Sequence, residues 1–262
     1  MSIKQVHLLV QGKGGAGKTT TAIVISQYLI SKYSGDINLF DIDPVNRTFS
    51  RYKALNVEVL NIVNTDSVID HSKFDDLVEY LIYKDGIAVV DSGSTTFQPL
   101  MQYIKSNGVI EILREHGVGV VFHIPLQSGG GLSDTLEGLH TILETFTVPV
   151  VVWLNQNLGE IKDFKNSKLY EQYADRILGV CEIIKRKDLF ESDIKRMFEN
   201  HLTLEEIKQT TDPRWRLMSK QRINTFYCEI FKQLDEMQLL PTPAAKQGKE
   251  KADKVEKSTA TA

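Results

Sequence analysis

Gln11-Gly12-Lys13-Gly14-Gly15-Ala16-Gly17-Lys18-Thr19-Thr20 packs two lysines, four glycines and two hydroxyls into ten residues. From Gly12 to Thr19 the spacing fits G-x-x-x-x-G-K-[ST], a loop whose backbone N–H groups converge on phosphate oxygens. Gly14, Gly15 and Gly17 let the backbone turn freely and approach an anion closely; Gly12, Ala16 and Thr20 complete the cradle. Lys18 is spaced to reach the β- and γ-phosphates of ATP, and the Thr19 hydroxyl to ligate Mg²⁺. A helix starting there adds its positive N-terminal dipole. Lys13 is not required by the pattern. On a transferring phosphate it would act like an arginine finger, worth roughly 10³–10⁵ in rate. Paired with an acidic loop of its own chain it would contribute little.

Three further sites suit the same chemistry. Asp91 closes the apolar run Val89-Val90, where a carboxylate would hold Mg²⁺ through a water; the other reading is a turn at Asp91-Ser92-Gly93. In Asp41-Ile42-Asp43-Pro44, strand alternation puts both carboxylates on one side. One would support Mg²⁺ and the other would orient the attacking water; alternatively Asp-Pro sets up an Asx turn. Asn155 ends Val150–Leu154 with a side chain that both donates and accepts. It is suited to the N6/N7 edge of adenine, or to a surface turn.

These residues need elements to place them. Apolar runs predict strands over 3–10, 37–41, 57–63, 86–91, 117–124, 148–154 and 177–184. Helical spacing falls over 20–32, 73–83, 99–114, 132–146, 170–176, 188–200 and 214–237. The alternation predicts an α/β fold, a mostly parallel twisted sheet with helices on both faces. Ligands of such sheets bind beyond the carboxyl ends of the strands, where every candidate above falls. Gly129-Gly130-Gly131 reads either as a nucleotide-sensing loop or as a plain helix start. Residues 1–240 are expected to form one domain, and the Lys/Ala-rich residues 241–262 a disordered tail.

Composition narrows the classes. The 262 residues carry a net charge of −3, which leaves no broad electrostatic footprint for nucleic acid. Cys181 and Cys228, far apart in sequence, supply no metal or iron–sulfur spacing, and the six histidines form no metal-spaced pair. Without a signal sequence or an apolar run of ~20 residues, the expectation is a cytoplasmic protein, at most transiently at membrane or nucleoid. The basic, amphipathic stretch from Arg214 to Leu240 is expected to pack on the sheet rather than lie on a lipid surface.

Taken together, Lys13–Thr20, Asp41–Pro44 and Asp91 resemble the deviant Walker-A ATPases of the ParA/MinD group. The chain is more similar still to plasmid conjugal-transfer and stability ATPases of the TraL/StbB type. That likeness rests on Gln11–Gly15, Asp43-Pro44-Val45-Asn46-Arg47-Thr48-Phe49, Tyr52-Lys53-Ala54-Leu55, Val90-Asp91-Ser92-Gly93 and Val151–Asn155, and covers residues 3–240. The resemblance implies an ATP-dependent homodimer in which Lys13 of one copy reaches the phosphates held by the other. It implies Asp43 as the water-orienting carboxylate, Asp41 as its Mg²⁺-side partner and Asn155 as the adenine reader. Its implied partner is a plasmid-encoded DNA-binding or transfer protein; no residue run points to non-specific DNA or membrane. The group's proline after the last strand is replaced by Ile183-Ile184-Lys185-Arg186, which leaves base stacking open.

The expected function is a Mg²⁺-ATP-dependent dimerising ATPase, slow and stimulated by a partner or by assembly, serving plasmid transfer, positioning or stability. Two alternatives use the same scaffold: a ligase or transferase of the dethiobiotin-synthetase or cobyrinate-amidase kind, and a non-hydrolysing nucleotide-gated binding module. Lys13 and the paired Asp41 and Asp43 favour hydrolysis over both.

Overall fold

The computed structural model describes residues 4–66 and 68–240; the expected tail lies outside them. The chain runs β1 (Lys4–Leu9), α1 (Lys18–Lys32), β2 (Ile37–Asp41), β3 (Glu58–Val59), α2 (Ser72–Tyr83) and β4 (Gly86–Asp91). It continues through α3 (Ser94–Ser106), α4 (Val109–Glu115), β5 (Gly119–Gln127), α5 (Leu132–Thr145), β6 (Val150–Asn155) and α6 (Lys168–Gln172). Then follow β7 (Ile177–Ile183), α7 (Asp188–Glu199), α8 (Leu204–Gln209) and α9 (Leu217–Glu236). The strands form one parallel sheet in the order β3-β2-β4-β1-β5-β6-β7.

Both faces of the sheet are covered, which is why its central strands are apolar without alternation. Val6, Leu8, Phe40, Val90 and Phe122 pack against Leu77 of α2, Leu100 of α3, Ile110 of α4 and Leu139 of α5. Leu9, Leu39, Val89, Val121 and Trp153 pack on the other side against Ile23 of α1, Met197 of α7, Ile207 of α8 and Ile230 of α9. The stretch from Arg214 thus delivers its apolar face to the sheet, as expected.

Some boundaries differ from expectation. The single helix expected over 99–114 is two. Gly108, at φ 59°, adopts the left-handed conformation that ends α3 and redirects the chain into α4. α3 also begins earlier, at Ser94, with Pro99 inside its second turn. β3 is only two residues long. Beyond it Asn64 Oδ1 accepts the N–H groups of Asp66 and Val68 at 2.9 and 3.0 Å, and this turn diverts the chain from the sheet edge. α8 was not anticipated, although its capping box is visible in the sequence: Thr203 and Glu206 cap each other's backbone N–H.

A phosphate pocket and its carboxylates

β1 is the central strand, and the loop from Gln11 to Gly17 leaves its carboxyl end to enter α1. Gly17 caps the helix at φ 105°, where a side chain would be strained. A Cβ there would also stand 2.7 Å from Asn155 Nδ2. The loop is anchored from below by Gln11, a buried residue whose Nε2 donates to the carbonyls of Pro125 on β5 and Thr135 on α5 at 3.2 and 3.1 Å.

Gly14, Gly15, Gly17, Lys18, Thr19 and Thr20 line an open pocket of about 300 Å³ together with Asp43, Asn46, Ser92 and Ser94. Lys18 is 7% exposed, and its ammonium donates to the Lys13 carbonyl at 3.4 Å. Burial draws Lys18 below the usual ammonium range, while the carboxylates of Asp91 and Asp43 pull it back up. Gly12 and Lys13 lie outside this pocket, at the head of a second cleft between α3 and α5. There Lys13 Nζ pairs with Asp134 Oδ2 of its own chain at 2.7 Å.

Parallel pairing of β2 with β4 makes Asp41 and Asp91 register partners, which places both buried carboxylates at one level of the sheet. Thr19 Oγ1 donates to Asp91 Oδ2 at 2.7 Å. Asp91 Oδ1 is buried with no hydrogen-bond partner, and burial pushes the carboxyl up to about 7. A buried, unpartnered carboxylate oxygen beside a threonine hydroxyl and a phosphate loop fits Mg²⁺, which takes few protein oxygens and keeps waters and substrate phosphates. Among the described residues no cluster of three His, Cys, Asp or Glu side chains could enclose a metal. One buried carboxylate and one threonine hydroxyl make a donor set that suits an ion shared with a bound triphosphate.

Asp41 and Asp43 both do structural work. Asp41 Oδ1 accepts the Asp43 N–H at 3.1 Å and Oδ2 accepts the Ser50 N–H at 3.0 Å; burial raises its carboxyl above the usual range. Asp43 Oδ1 accepts from Val45 and Asn46 at 2.8 and 3.0 Å, forming the Asx turn that Asp-Pro allowed. Its carboxylate lies against Gly93, where a Cβ would approach Asp43 Cγ to 2.5 Å. Asp43 lines the pocket, and its Oδ2 makes no hydrogen bond to the described residues.

Asn155 stands between the phosphate loop and a second pocket of about 290 Å³, lined by Thr20, Ile183, Ile184, Arg186, Phe198 and others. One of its N–H groups donates to the Ala16 carbonyl at 3.1 Å, so the side chain braces the loop as well as bordering the cavity. Arg186 occupies the wall where the sequence lacks a proline, stacked over Phe190 at 4.9 Å and paired with Glu229. Asn46, Ser92, Ser94 and Gln11 were not singled out as site residues. Asn46 lies within a run used for the family resemblance, but only the turn that Asp43 nucleates brings it to the phosphate pocket.

No protein-family model matches the chain. It is 34% identical over 238 residues to a protein named TraL from Escherichia coli, a match covering 88% of this chain and 97% of that protein. This chain belongs to the TraL family. A second Escherichia coli TraL is 33% identical over 243 residues, covering 90% of this chain and 99% of its own length. The TraL fold is also that of ParA/MinD-type P-loop proteins. The MinC:MinD cell division complex of Aquifex aeolicus superimposes over 93% of this chain and 100% of the matched chain, with a TM-score of 0.50 and 14% identity. A ParA family ATPase of Chlorobium tepidum superimposes over 86% of this chain and 98% of its own, with a TM-score of 0.50 and 12% identity. The parallel sheet and P-loop placement expected from the sequence are therefore those of this structural class.

Proposed function

We propose that this TraL-family protein is a Mg²⁺-dependent ATPase that uses ATP to switch between monomer and homodimer. The observation that carries the reading is the convergence of Lys18, Thr19 and Asp43 on one open pocket, with buried Asp91 held directly behind Thr19 and Lys13 outside the pocket on the surface. The loop N–H groups and Lys18 would bind the β- and γ-phosphates, and Thr19 and Asp91 would hold Mg²⁺, with Asp41 buttressing them from the neighbouring strand. When bound, Mg²⁺ neutralises phosphate charge. Asp43 Oδ2 is the carboxylate oxygen left to orient an attacking water. Lys13 is half exposed and cannot serve its own pocket while paired with Asp134; contributed to a second copy, it would add positive charge to that copy's transferring phosphate. Asn155 and the cavity beyond it would receive the base.

TraL membership supports a role in plasmid transfer, positioning or maintenance, with a plasmid-encoded DNA-binding or transfer protein as partner. No helix among the described residues is long and apolar enough to cross a membrane.

The test is Lys13→Ala in the full chain. ATP binding should persist while turnover and ATP-driven dimerisation are lost. Wild-type sedimentation and turnover by this variant would reject the trans role. A second reading, a nucleotide-gated binding module, is favoured by the use of Asp43 Oδ1 in the loop turn. ATP binding without turnover, even in the presence of partners, would establish it.

A further inference from the structure

The turn built on Asp43 has a second product. Asp43 Oδ1 takes the Val45 and Asn46 N–H groups, and the Asn46 carbonyl accepts the Thr48 N–H at 2.6 Å. The Asn46 backbone is thus held on both sides while its exposed side chain lines the phosphate pocket. That amide makes no hydrogen bond among the described residues, so both its donors and its acceptor are free. Asp43, Ser92 and Ser94 line the same pocket, together with Lys18 and Thr19.

We propose that Asn46 is a further water- and phosphate-positioning residue of this pocket, acting with Asp43. The proposal rests on the ATPase reading above. Asp43 has one uncommitted carboxylate oxygen and can only accept. A carboxylate alone beside an anionic phosphate repels the group it should help to bring under attack. A neutral amide escapes this conflict: its N–H can donate to a γ-phosphate oxygen while its carbonyl accepts from the water. In the step, the water oxygen forms a bond to the γ-phosphorus as the bond to the bridging oxygen breaks. The bridging electron pair leaves with ADP, and both water hydrogens end on the released phosphate as dihydrogen phosphate. Asn46 gains and loses no proton; it fixes the line of attack, as a water-orienting glutamine does in other P-loop hydrolases.

The side chain is exposed and its backbone bonds survive substitution, so variants should fold. Asn46→Ala should lower kcat by about 100-fold, the scale of losing one preorganised transition-state donor, with KM for ATP unchanged within about twofold. Asn46→Gln should recover part of kcat; Asn46→Asp, equal in size but anionic, should not. A kcat for Asn46→Ala within twofold of an active wild type overturns the inference and leaves the ATPase reading intact. So does a raised KM at unchanged kcat. Wild-type chain that binds ATP but never turns it over overturns both.

Discussion

Lys13 Nζ lies 2.7 Å from Asp134 Oδ2 of the same chain, with both side chains about half exposed. The pair ties the phosphate loop to the first turn of α5, which Gln11 also reaches through the Thr135 carbonyl. An exposed ion pair of this kind is worth about 0.2–1 kcal/mol, enough to bias a lysine without trapping it.

Removing the carboxylate should therefore free Lys13 for a second copy. Asp134→Asn should leave ATP affinity unchanged and shift ATP-driven dimerisation to roughly two- to thirtyfold lower protein concentration, because a symmetric dimer breaks that pair in both copies. Sedimentation equilibrium with ATP, at low and high salt, measures it. The gain should shrink at high salt, because screening already weakens an exposed pair. A dimer weakened by Asp134→Asn would mean that Asp134 positions Lys13 rather than restraining it.

Lys18→Ala should weaken ATP binding by roughly two orders of magnitude, the upper range for a hydrogen bond to a charged group. Isothermal titration checks this. Fold stability should rise or hold, because the variant no longer buries an ammonium.

Asp91 gives a prediction with opposite signs for stability and function. Its carboxyl is raised from 3.8 to about 7 by burial, so between those values the folded state binds more protons than the unfolded chain. Stability contributed by this group then falls as pH rises through that window. Asp91→Asn can still accept from Thr19 and should stabilise the nucleotide-free protein at pH 8 on the order of a few kcal/mol. The gain should vanish near pH 4. Urea denaturation at both pH values tests it, while the same variant should lose the Mg²⁺ dependence of nucleotide binding.

His7 and His123 work the other way. Trp153 Nε1 donates to His123 Nδ1 at 3.0 Å, so the second His123 nitrogen carries the proton and donates to His7 Nδ1 at 2.8 Å. Burial lowers His7 from 6.5 to about 3 and His123 well below its usual value. The folded protein binds fewer protons here than the unfolded chain, so stability should fall as pH drops below about 6.5. The limiting slope is about 1.4 kcal/mol per pH unit for each histidine. A His7→Leu, His123→Leu double variant should lose that acid-side slope. It should also lose about 1–3 kcal/mol overall, because the Trp153 N–H is left without an acceptor. An unchanged slope would assign the acid sensitivity elsewhere.

The order of strands and helices was legible in the sequence because apolar runs and helical spacing are local patterns, and here they agreed with the parallel sheet. The P-loop was equally legible: its glycines and Lys18 act through backbone geometry set within ten residues. The break at Gly108 was missed because helical spacing in 99–114 outweighed one glycine. The short β3 was missed because Ile62 is buried in the core without pairing as a strand.

What one residue's type cannot show is where its polar atoms are spent. Asp41 and Asp43 were read from spacing as neighbours, and they are. Only the folded loop decided that both Asp41 oxygens and Asp43 Oδ1 hold backbone N–H groups, leaving Asp91 Oδ1 and Asp43 Oδ2 unengaged. Asn155 was likewise legible as a residue at a strand end, but not as a brace on Ala16 from more than a hundred positions away. The sequence by itself determined the fold class and the phosphate loop, because local periodicity and backbone sterics suffice for them. Tertiary structure decided how Lys13 is paired, which carboxylate oxygens remain free and that Asn46 enters the pocket, because those depend on contacts between distant segments.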